Sequence, residues 1–230
     1  MLLQTLLQIP GASPVTTPTT PTTPAESLSL IDLTLAGGPV MIPIGILFIL
    51  VIFLYFERYL TIRKAAKGDP KFMLNIRDYI SGGNLDAAKM LCKNTDTPSA
   101  RIIKKGIMRL GSPLKNIEVA VENVGKLELY KMEKNLAAIA MISGVGPMLG
   151  FLGTVTGMIQ AFYIMSQSDQ ISPKVLSGGI YEAMVTTVAG LIVGIIANVA
   201  YNSLIALVEK MIYKMEATTV EFVDLLQEPA

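Results

Sequence analysis

The chain has 230 residues, 51% of them hydrophobic, with a mean hydropathy of +0.52 and a formal net charge of +1. This composition excludes an ordinary water-soluble domain, which has no need for several uncharged apolar runs of membrane-spanning length. The single cysteine and the lack of histidine exclude disulfide frameworks and Cys/His zinc sites, and no cofactor is expected.

The segment before the first long apolar run is predicted to be irregular. Residues 1–9 are apolar but few and lack the basic start of a signal peptide, so a retained amphipathic start and a processed leader both stay open. Residues 10–24 are rich in Thr and Pro, which favours an extended, disordered chain. We expect a disordered outer extension over 1–27 and a short interfacial helix over 28–39, with an unstructured continuation as the alternative for the second stretch.

Three apolar runs predict membrane-spanning helices. Residues 40–56 and 137–165 contain no charged side chain, and residues 175–208 contain one, Glu182. Roughly 20 apolar residues suffice to cross a bilayer, and the last two runs exceed that length. The predicted spans are 40–56, 135–165 and 175–208, and the turn between the last two is 166–174.

The basic residues predict the orientation of these spans. Sixteen of the nineteen Lys and Arg residues lie within 57–134, and none precedes residue 40. Because positively charged loops stay on the inner side of a membrane, the 57–134 region and the C-terminal helix predicted over 209–230 are expected in the cytoplasm. The N-terminus is then expected outside.

Helix boundaries within the 57–134 region are signalled by capping residues, proline and glycine. These signals are Asp69-Pro70, Gly82-Gly83, Asn84, Pro98, Gly111 and Ser112-Pro113. Past the last of them no proline occurs before Pro147, so we expect one helix that runs unbroken from the cytoplasm into the second span. Acidic residues are interleaved with the basic ones, which favours a solvated face of mixed charge over a nucleic-acid surface. They are Glu118, Glu122, Glu128 and Glu133.

The C-terminal tail continues the third span as an amphipathic helix. Apolar residues alternate in steps of three and four, and this near-heptad stripe must pack on the loop helices of the same or a neighbouring copy. The stripe comprises Ile205, Val208, Ile212, Met215, Thr219, Phe222 and Leu226. Cys92 is expected to be a buried, reduced thiol with no redox role. The predicted fold is all-α, an integral membrane protein with three transmembrane helices, the last two extended into a cytoplasmic helical bundle.

Small and polar residues line one side of each of the last two spans. In the second span Gly146, Gly150, Gly153 and Gly157 form one stripe, and glycines at such spacing let helix backbones approach closely. In the third span a small, polar and acidic face opposes a bulky apolar one. That face includes Glu182, Thr186, Thr187, Gly190 and Gly194.

The carboxyl group of Glu182 is the most informative of these groups. A carboxylate in an apolar span rarely faces lipid, so we expect it on a proton-linked interior surface. The alternative is that it reaches the headgroup level, since it lies only a few residues past the outer turn. Three helices with one acidic face do not easily seal a pore alone, so a symmetric ring with this face inward is the simplest assembly.

From Gly37 onward the chain resembles the ExbB/TolQ/MotA family of proton-channel and stator subunits. The resemblance lies in the glycine pair before the first span, the Glu57-Arg58 exit, and the segments VENVGKLEL, GFLGTVTGMIQAF and GGIYEAMVTTVAGL. Three spans look more like the ExbB/TolQ branch than like MotA, which has four. The family's channel threonine falls on Thr154, and its intramembrane glutamate and following threonine fall on Glu182 and Thr187; Thr186 is an adjacent hydroxyl.

The resemblance implies a pentamer in a bacterial inner membrane, with the N-terminus periplasmic. It further implies two copies of a single-span ExbD/TolR-type partner in the central pore, whose aspartate carries protons. Such a complex powers TonB-dependent uptake across the outer membrane. A TolQ-like role in envelope integrity and a non-conducting membrane scaffold stay open, as does sodium in place of protons. No nucleophile–base pair, phosphate loop or metal cluster is found in the sequence, so an enzyme is not expected.

Overall fold

A computed structural model of the chain describes residues 37–69, 71–167 and 173–227. The predicted extension at 1–27, most of the interfacial helix at 28–39 and the centre of the 166–174 turn lie outside these residues. Gly37 to Val40 form a turn that leads into the first helix.

The described residues form seven helices and no strands, which confirms the all-α class. In chain order these are α1 Met41–Ala66, α2 Phe72–Ser81, α3 Leu85–Asn94, α4 Pro98–Ile107, α5 Leu114–Glu133, α6 Leu136–Ser166 and α7 Pro173–Gln227. By length and apolar content, α1, α6 and α7 are each able to cross a membrane. The prediction of three spans is therefore confirmed.

Short-range capping sets the boundaries of the small helices between α1 and α5. The Asn84 side chain accepts a hydrogen bond from the Ala87 amide at 3.1 Å, as predicted for a capping residue. Thr97 caps α4 in the same way through the Ala100 amide at 3.3 Å, with Pro98 at the first helical position. Asp69 accepts from the Lys71 amide at 2.9 Å, and α2 begins just after this turn.

The predicted unbroken helix from the cytoplasm into the second span is wrong. The chain breaks at Lys134 and Asn135, between α5 and α6. Asn135 has φ 65°, a left-handed conformation that asparagine tolerates better than most residues. The hydrophobic period continues across the break, which is why the sequence pattern did not reveal it.

The tail of α7 packs on the loop helices of its own chain, one of the two predicted partners. Met211, Met215 and Phe222 share a core with apolar side chains of α2 to α5. Cys92 is also buried there, and burial raises the pKa of its thiol to about 11, so it stays a neutral thiol at physiological pH. The α7 helix continues without a break from the third span to Gln227, as predicted.

Candidate functional site: the seam between the last two spans

Helices α6 and α7 make the most extensive contact in the molecule, and glycines line it. A methyl group added at Gly146 would lie 3.1 Å from the Gly190 carbonyl oxygen, and one at Gly150 would lie 3.1 Å from the Thr186 carbonyl oxygen. At Gly153 it would collide with the Thr186 side chain, and at Gly157 it would lie 3.2 Å from the Ala183 methyl group. The whole predicted glycine stripe of α6 therefore faces α7.

The facing glycines of α7 are equally confined. A methyl group at Gly190 would lie 2.6 Å from the Gly146 carbonyl oxygen and 2.8 Å from the Gly150 Cα. Gly194 lies beside the ring of Pro147, which interrupts the hydrogen bonding of α6. These neighbours are backbone atoms or a rigid ring, so the two helices approach as closely as main chains allow.

Thr186 and Thr187 both lie in this seam. Thr186 is 1% exposed and donates its hydroxyl to the Ala183 carbonyl at 2.8 Å, within its own helix. Thr187 is half-buried and donates across the seam to the Gly150 carbonyl at 3.1 Å. The second hydrogen bond joins the two helices, and glycine at 150 leaves room for it.

Thr154 lies at the edge of the seam, next to Gly153. Its hydroxyl donates to the Phe151 carbonyl at 2.6 Å, and its side chain is half-buried. The residue borders an open groove of about 630 Å³ on the surface of α6. The other lining residues also belong to α6 and are Val155, Met158, Ile159, Phe162, Tyr163 and Ser166. Among the four predicted pathway residues, Thr154 alone lines this groove.

Glu182 contacts the turn that precedes the first span. A methyl group added at Gly38 would collide with a Glu182 carboxylate oxygen, and Gly38 has φ 64° besides. Glycine is thus required at position 38 for two reasons, its backbone conformation and the space left for the carboxylate. The glycine pair noted in the sequence therefore has a contact partner in the third span.

The depth of Glu182 follows from the helix geometry. Asn135 lies at the N-terminal end of α6, and Gly157 lies opposite Ala183, next to Glu182. The helical rise places Gly157 roughly 33 Å from Asn135, comparable with a hydrocarbon core of about 30 Å. The carboxylate therefore lies near the end of the bundle opposite Asn135.

The structure brings the pathway residues to one pair of helices but does not join them in a network. Among the hydrogen bonds of the described residues, none links Thr154, Glu182, Thr186 and Thr187 to one another. The described residues likewise contain no group of three His, Cys, Asp or Glu side chains close enough to hold a metal ion. The assigned roles in a pore stay predictions.

Contacts at the other end of the bundle, near Asn135, were not predicted from the sequence. Arg58 is 4% exposed and donates to the Lys131 carbonyl at 3.3 Å, at the C-terminal end of α5. Its neighbour Glu57 accepts from the Asn135 side chain at 3.5 Å. The end of the first span thus holds both sides of the break between α5 and α6. The sequence showed the Glu57-Arg58 pair at the end of the first span, but it did not show that this pair would contact Lys131 and Asn135.

Glu128 corrects the prediction of a solvated face of mixed charge. It is 2% exposed, and it binds Arg101 at 2.6 Å and Lys131 at 2.7 Å. Burial alone would raise the pKa of Glu128, but hydrogen bonds from these two cations outweigh it, and the pKa is lowered. Glu122, nearly two turns away on the same helix, remains exposed and pairs with Lys126, as predicted.

Comparison with known proteins identifies a family that matches this part of the chain. The sequence pattern of the MotA/TolQ/ExbB proton channel family matches residues 94–217, which cover α4, α5, α6 and most of α7. This is more than half of the chain, and it contains the whole seam.

Individual relatives agree. A putative biopolymer transport protein ExbB-like 1 of Synechocystis is 30% identical over 189 residues, 77% of this chain and 71% of the relative. The biopolymer transport protein ExbB of Neisseria meningitidis is 27% identical over 187 residues, 74% of this chain and 84% of the relative. The Tol-Pal system protein TolQ of Haemophilus influenzae is 31% identical over 137 residues, 56% of this chain and 55% of the relative. The close-packed pair of polar-edged spans, the family pattern across it and these relatives show that the chain belongs to the MotA/TolQ/ExbB proton channel family.

Proposed function

We propose that this chain is the multi-span subunit of an ExbB-like motor in a bacterial inner membrane. Five copies surround single-span ExbD/TolR-like partners, and proton flow through the complex drives a TonB-like protein that energises uptake across the outer membrane. The N-terminus is periplasmic and the C-terminus cytoplasmic, because the basic residues cluster between the first and second spans. Similarity to ExbB proteins over most of the chain supports this choice.

One observation carries the proposal: polar groups follow the α6–α7 pair through an otherwise apolar bundle. Glu182 contributes the single carboxylate of the last two apolar runs and lies toward the outside, where it can exchange protons with the periplasm. Thr187 and Thr154 lie deeper along the same pair of helices. Glu182 is thus the outer mouth of the path, and the threonines border its inner course.

The chain does not provide a complete relay. One carboxylate and a few hydroxyls give no series of titratable groups across about 30 Å of apolar medium. The main carrier must come from the partner, seated against the Thr154 side of the ring. Because one elementary charge crossing 100 mV yields about 2.3 kcal/mol, each proton can bias the position of a helix.

Proton flux in the reconstituted complex with its single-span partner tests the proposal. Glu182→Ala, Thr154→Val and Thr187→Val are each expected to reduce flux and uptake while the complex remains assembled by native mass spectrometry. Thr156→Val is the matched control, because its hydroxyl bonds to the carbonyls of Leu152 and Gly153 within α6 and its side chain is exposed. Unchanged flux in all three test variants, with assembly intact, would establish a non-conducting scaffold instead.

A TolQ-like role is the second candidate, favoured by the 31% identity to the Haemophilus influenzae TolQ protein. The two roles share the proton path and differ in the protein that receives the motion. Complementation separates them: restored siderophore uptake in cells lacking ExbB supports the first role, and restored detergent resistance in cells lacking TolQ supports the second. Co-purification with a TonB-like or a TolA-like protein gives an independent answer.

A further inference from the structure

A small basic cavity lies where the first and third spans leave the membrane. It measures about 290 Å³ and lies between the end of α1 and the middle of α7. Its lining comprises Tyr59, Ile62, Arg63, Ala66, Leu207, Lys210, Met211 and Lys214. Three of these side chains are cationic and none is acidic. We propose that this cavity, the basic pocket, binds the phosphate headgroup of an anionic phospholipid.

The cations of the basic pocket are free to bind an anion. Among the residues that the structure describes, no carboxylate forms an ion pair with Arg63, Lys210 or Lys214. The acidic neighbour in sequence, Glu209, lines a different cavity beside Tyr130 and Asn135. Three unneutralised cations around one cavity create a positive potential that favours a phosphate.

Tyr59 orients one of these cations. The Arg63 guanidinium donates to the Tyr59 hydroxyl at 3.4 Å and lies 5.8 Å from the centre of its ring. A guanidinium held by an aromatic side chain presents its remaining N–H groups in a fixed plane, which matches the oxygens of a phosphate. Tyrosine is also enriched at the level of lipid headgroups.

The depth of the basic pocket matches a headgroup. The apolar run of the first span ends at Phe56, and the helical rise places Arg63 roughly 10 Å beyond it. Lys210 follows the third apolar run by two residues, roughly 3 Å. The headgroup layer of a bilayer extends about 5 to 8 Å beyond the hydrocarbon core, within reach of these long side chains.

The size of the pocket and its surroundings favour a lipid over a soluble anion. A volume of about 290 Å³ suits a headgroup, at the lower end of small-molecule pockets of about 300–1,000 Å³. On α1, Phe56 and Leu60 are exposed and can accompany acyl chains. The lipid site requires only that these helices lie in a membrane, so a failure of proton conduction would not overturn it. The orientation proposed above places the site in the inner leaflet, and that placement rests on the proposed function.

Lipid titration of the full-length protein in detergent tests the proposal. Short-chain phosphatidylglycerol, phosphatidylcholine and inorganic phosphate are added separately, and bound molecules are counted by native mass spectrometry. The triple variant Arg63→Gln, Lys210→Gln, Lys214→Gln is expected to bind phosphatidylglycerol at least about tenfold more weakly than the unmodified protein. Phosphatidylcholine binding is expected to be weak in both proteins.

Two further variants make the result decisive. Lys93→Gln, Arg109→Gln, Lys115→Gln removes the same charge from exposed positions of the loop region and is expected to leave phosphatidylglycerol binding unchanged. Arg63→Lys, Lys210→Arg, Lys214→Arg keeps the charge and is expected to retain most of the binding. Equal affinity in the two neutralised triples, equal affinity for phosphatidylcholine, or displacement of the lipid by an equal concentration of inorganic phosphate would overturn the proposal.

Discussion

Helix α7 passes through two surroundings and packs by opposite means in each. In its membrane half it meets α6 through Gly190, Gly194 and Ala183, with backbones in direct contact. In its C-terminal half it meets the loop helices through Met211, Met215 and Phe222, which are large and apolar. One continuous helix of 55 residues thus packs in two different ways.

The difference reflects what drives association in each solvent. In water, burying a large apolar side chain is favourable by about 1.5–3 kcal/mol, so bulky residues hold the loop helices together. In lipid, an apolar side chain gains little by leaving the acyl chains, and close packing of small residues takes over. Polar groups follow the same division. In the membrane half, the Thr187 hydroxyl donates to the Gly150 carbonyl. Among the loop helices, the Glu128 carboxylate is buried together with two cations that pair with it.

Removal of the Phe222 side chain is the strongest test of the packing between the C-terminal half of α7 and the loop helices. Phe222→Ala is expected to destabilise the loop helices by about 3–5 kcal/mol, since the ring is fully buried against Gly106 and Val121. Hydrogen exchange should accelerate in α2 to α4 and stay unchanged in the membrane halves of α6 and α7. Tyr213→Ala, on the exposed side of the same helix, is the control and is expected to have little effect. Uniform acceleration along α7 would show that the two halves unfold as one unit.

Loss of the buried carboxylate tests the electrostatic side of the comparison. Glu128→Ala is expected to cost about 2–3 kcal/mol of unfolding free energy, less than a fully buried pair because Arg101 and Lys131 reach solvent. Glu122→Ala removes an exposed ion pair on the same helix and is expected to cost less than about 1 kcal/mol. Denaturant titration of the two variants measures the difference, and similar losses would contradict the burial of Glu128.

The same carboxylate makes stability depend on pH. Because the pKa of Glu128 is lowered in the folded state, its contribution is present above an unfolded pKa of about 4.3. It is lost as the pH falls from there toward the folded pKa. Glu128→Gln is expected to flatten this part of the stability curve, which denaturant titrations at a series of pH values measure.

A single added methyl group tests the close packing of α6 and α7 through their glycines. Gly190→Ala is expected to destabilise the α6–α7 seam by about 1–3 kcal/mol, since the added carbon would press on backbone atoms of Gly146 and Gly150. Gly144→Ala is the control, because nothing lies within 4 Å of the added methyl group. Melting temperatures in detergent should fall for the first variant alone. If both variants melt like the unmodified protein, the seam is looser than its glycines indicate.

A change at Asn135, in the break between α5 and α6, is expected to have the smallest effect. Asn135→Ala is expected to cost about 1–2 kcal/mol, because alanine resists the left-handed conformation at φ 65°. Asn135→Gly adopts this conformation freely and is expected to lose only the weak hydrogen bond to Glu57. Spin-label distances between α5 and α6 check the geometry: a straightened helix in the glycine variant would mean that the asparagine itself makes the bend.

Much of this architecture could be read from the residues alone. The three spans follow from unbroken apolar runs, the start of α3 from its cap Asn84, the start of α4 from Pro98 at its first position, and the tail stripe from its period. The four glycines of the α6 stripe also predicted a closely packed neighbouring helix. These features depend on residues within a turn or two of each other, so the order of residues determines them directly.

Other features depend on which helices meet, and the tertiary structure decided them. Asn135 breaks a helix whose apolar period runs on, because Glu57 and Arg58 from another span hold both sides of the break. Glu128 is buried because Arg101 comes from a separate helix to neutralise it. The Glu182 carboxylate lies against Gly38, which is far away in sequence. Spacing along the chain determined which face each helix would bury, and only the contacts between helices determined which polar group that face would meet.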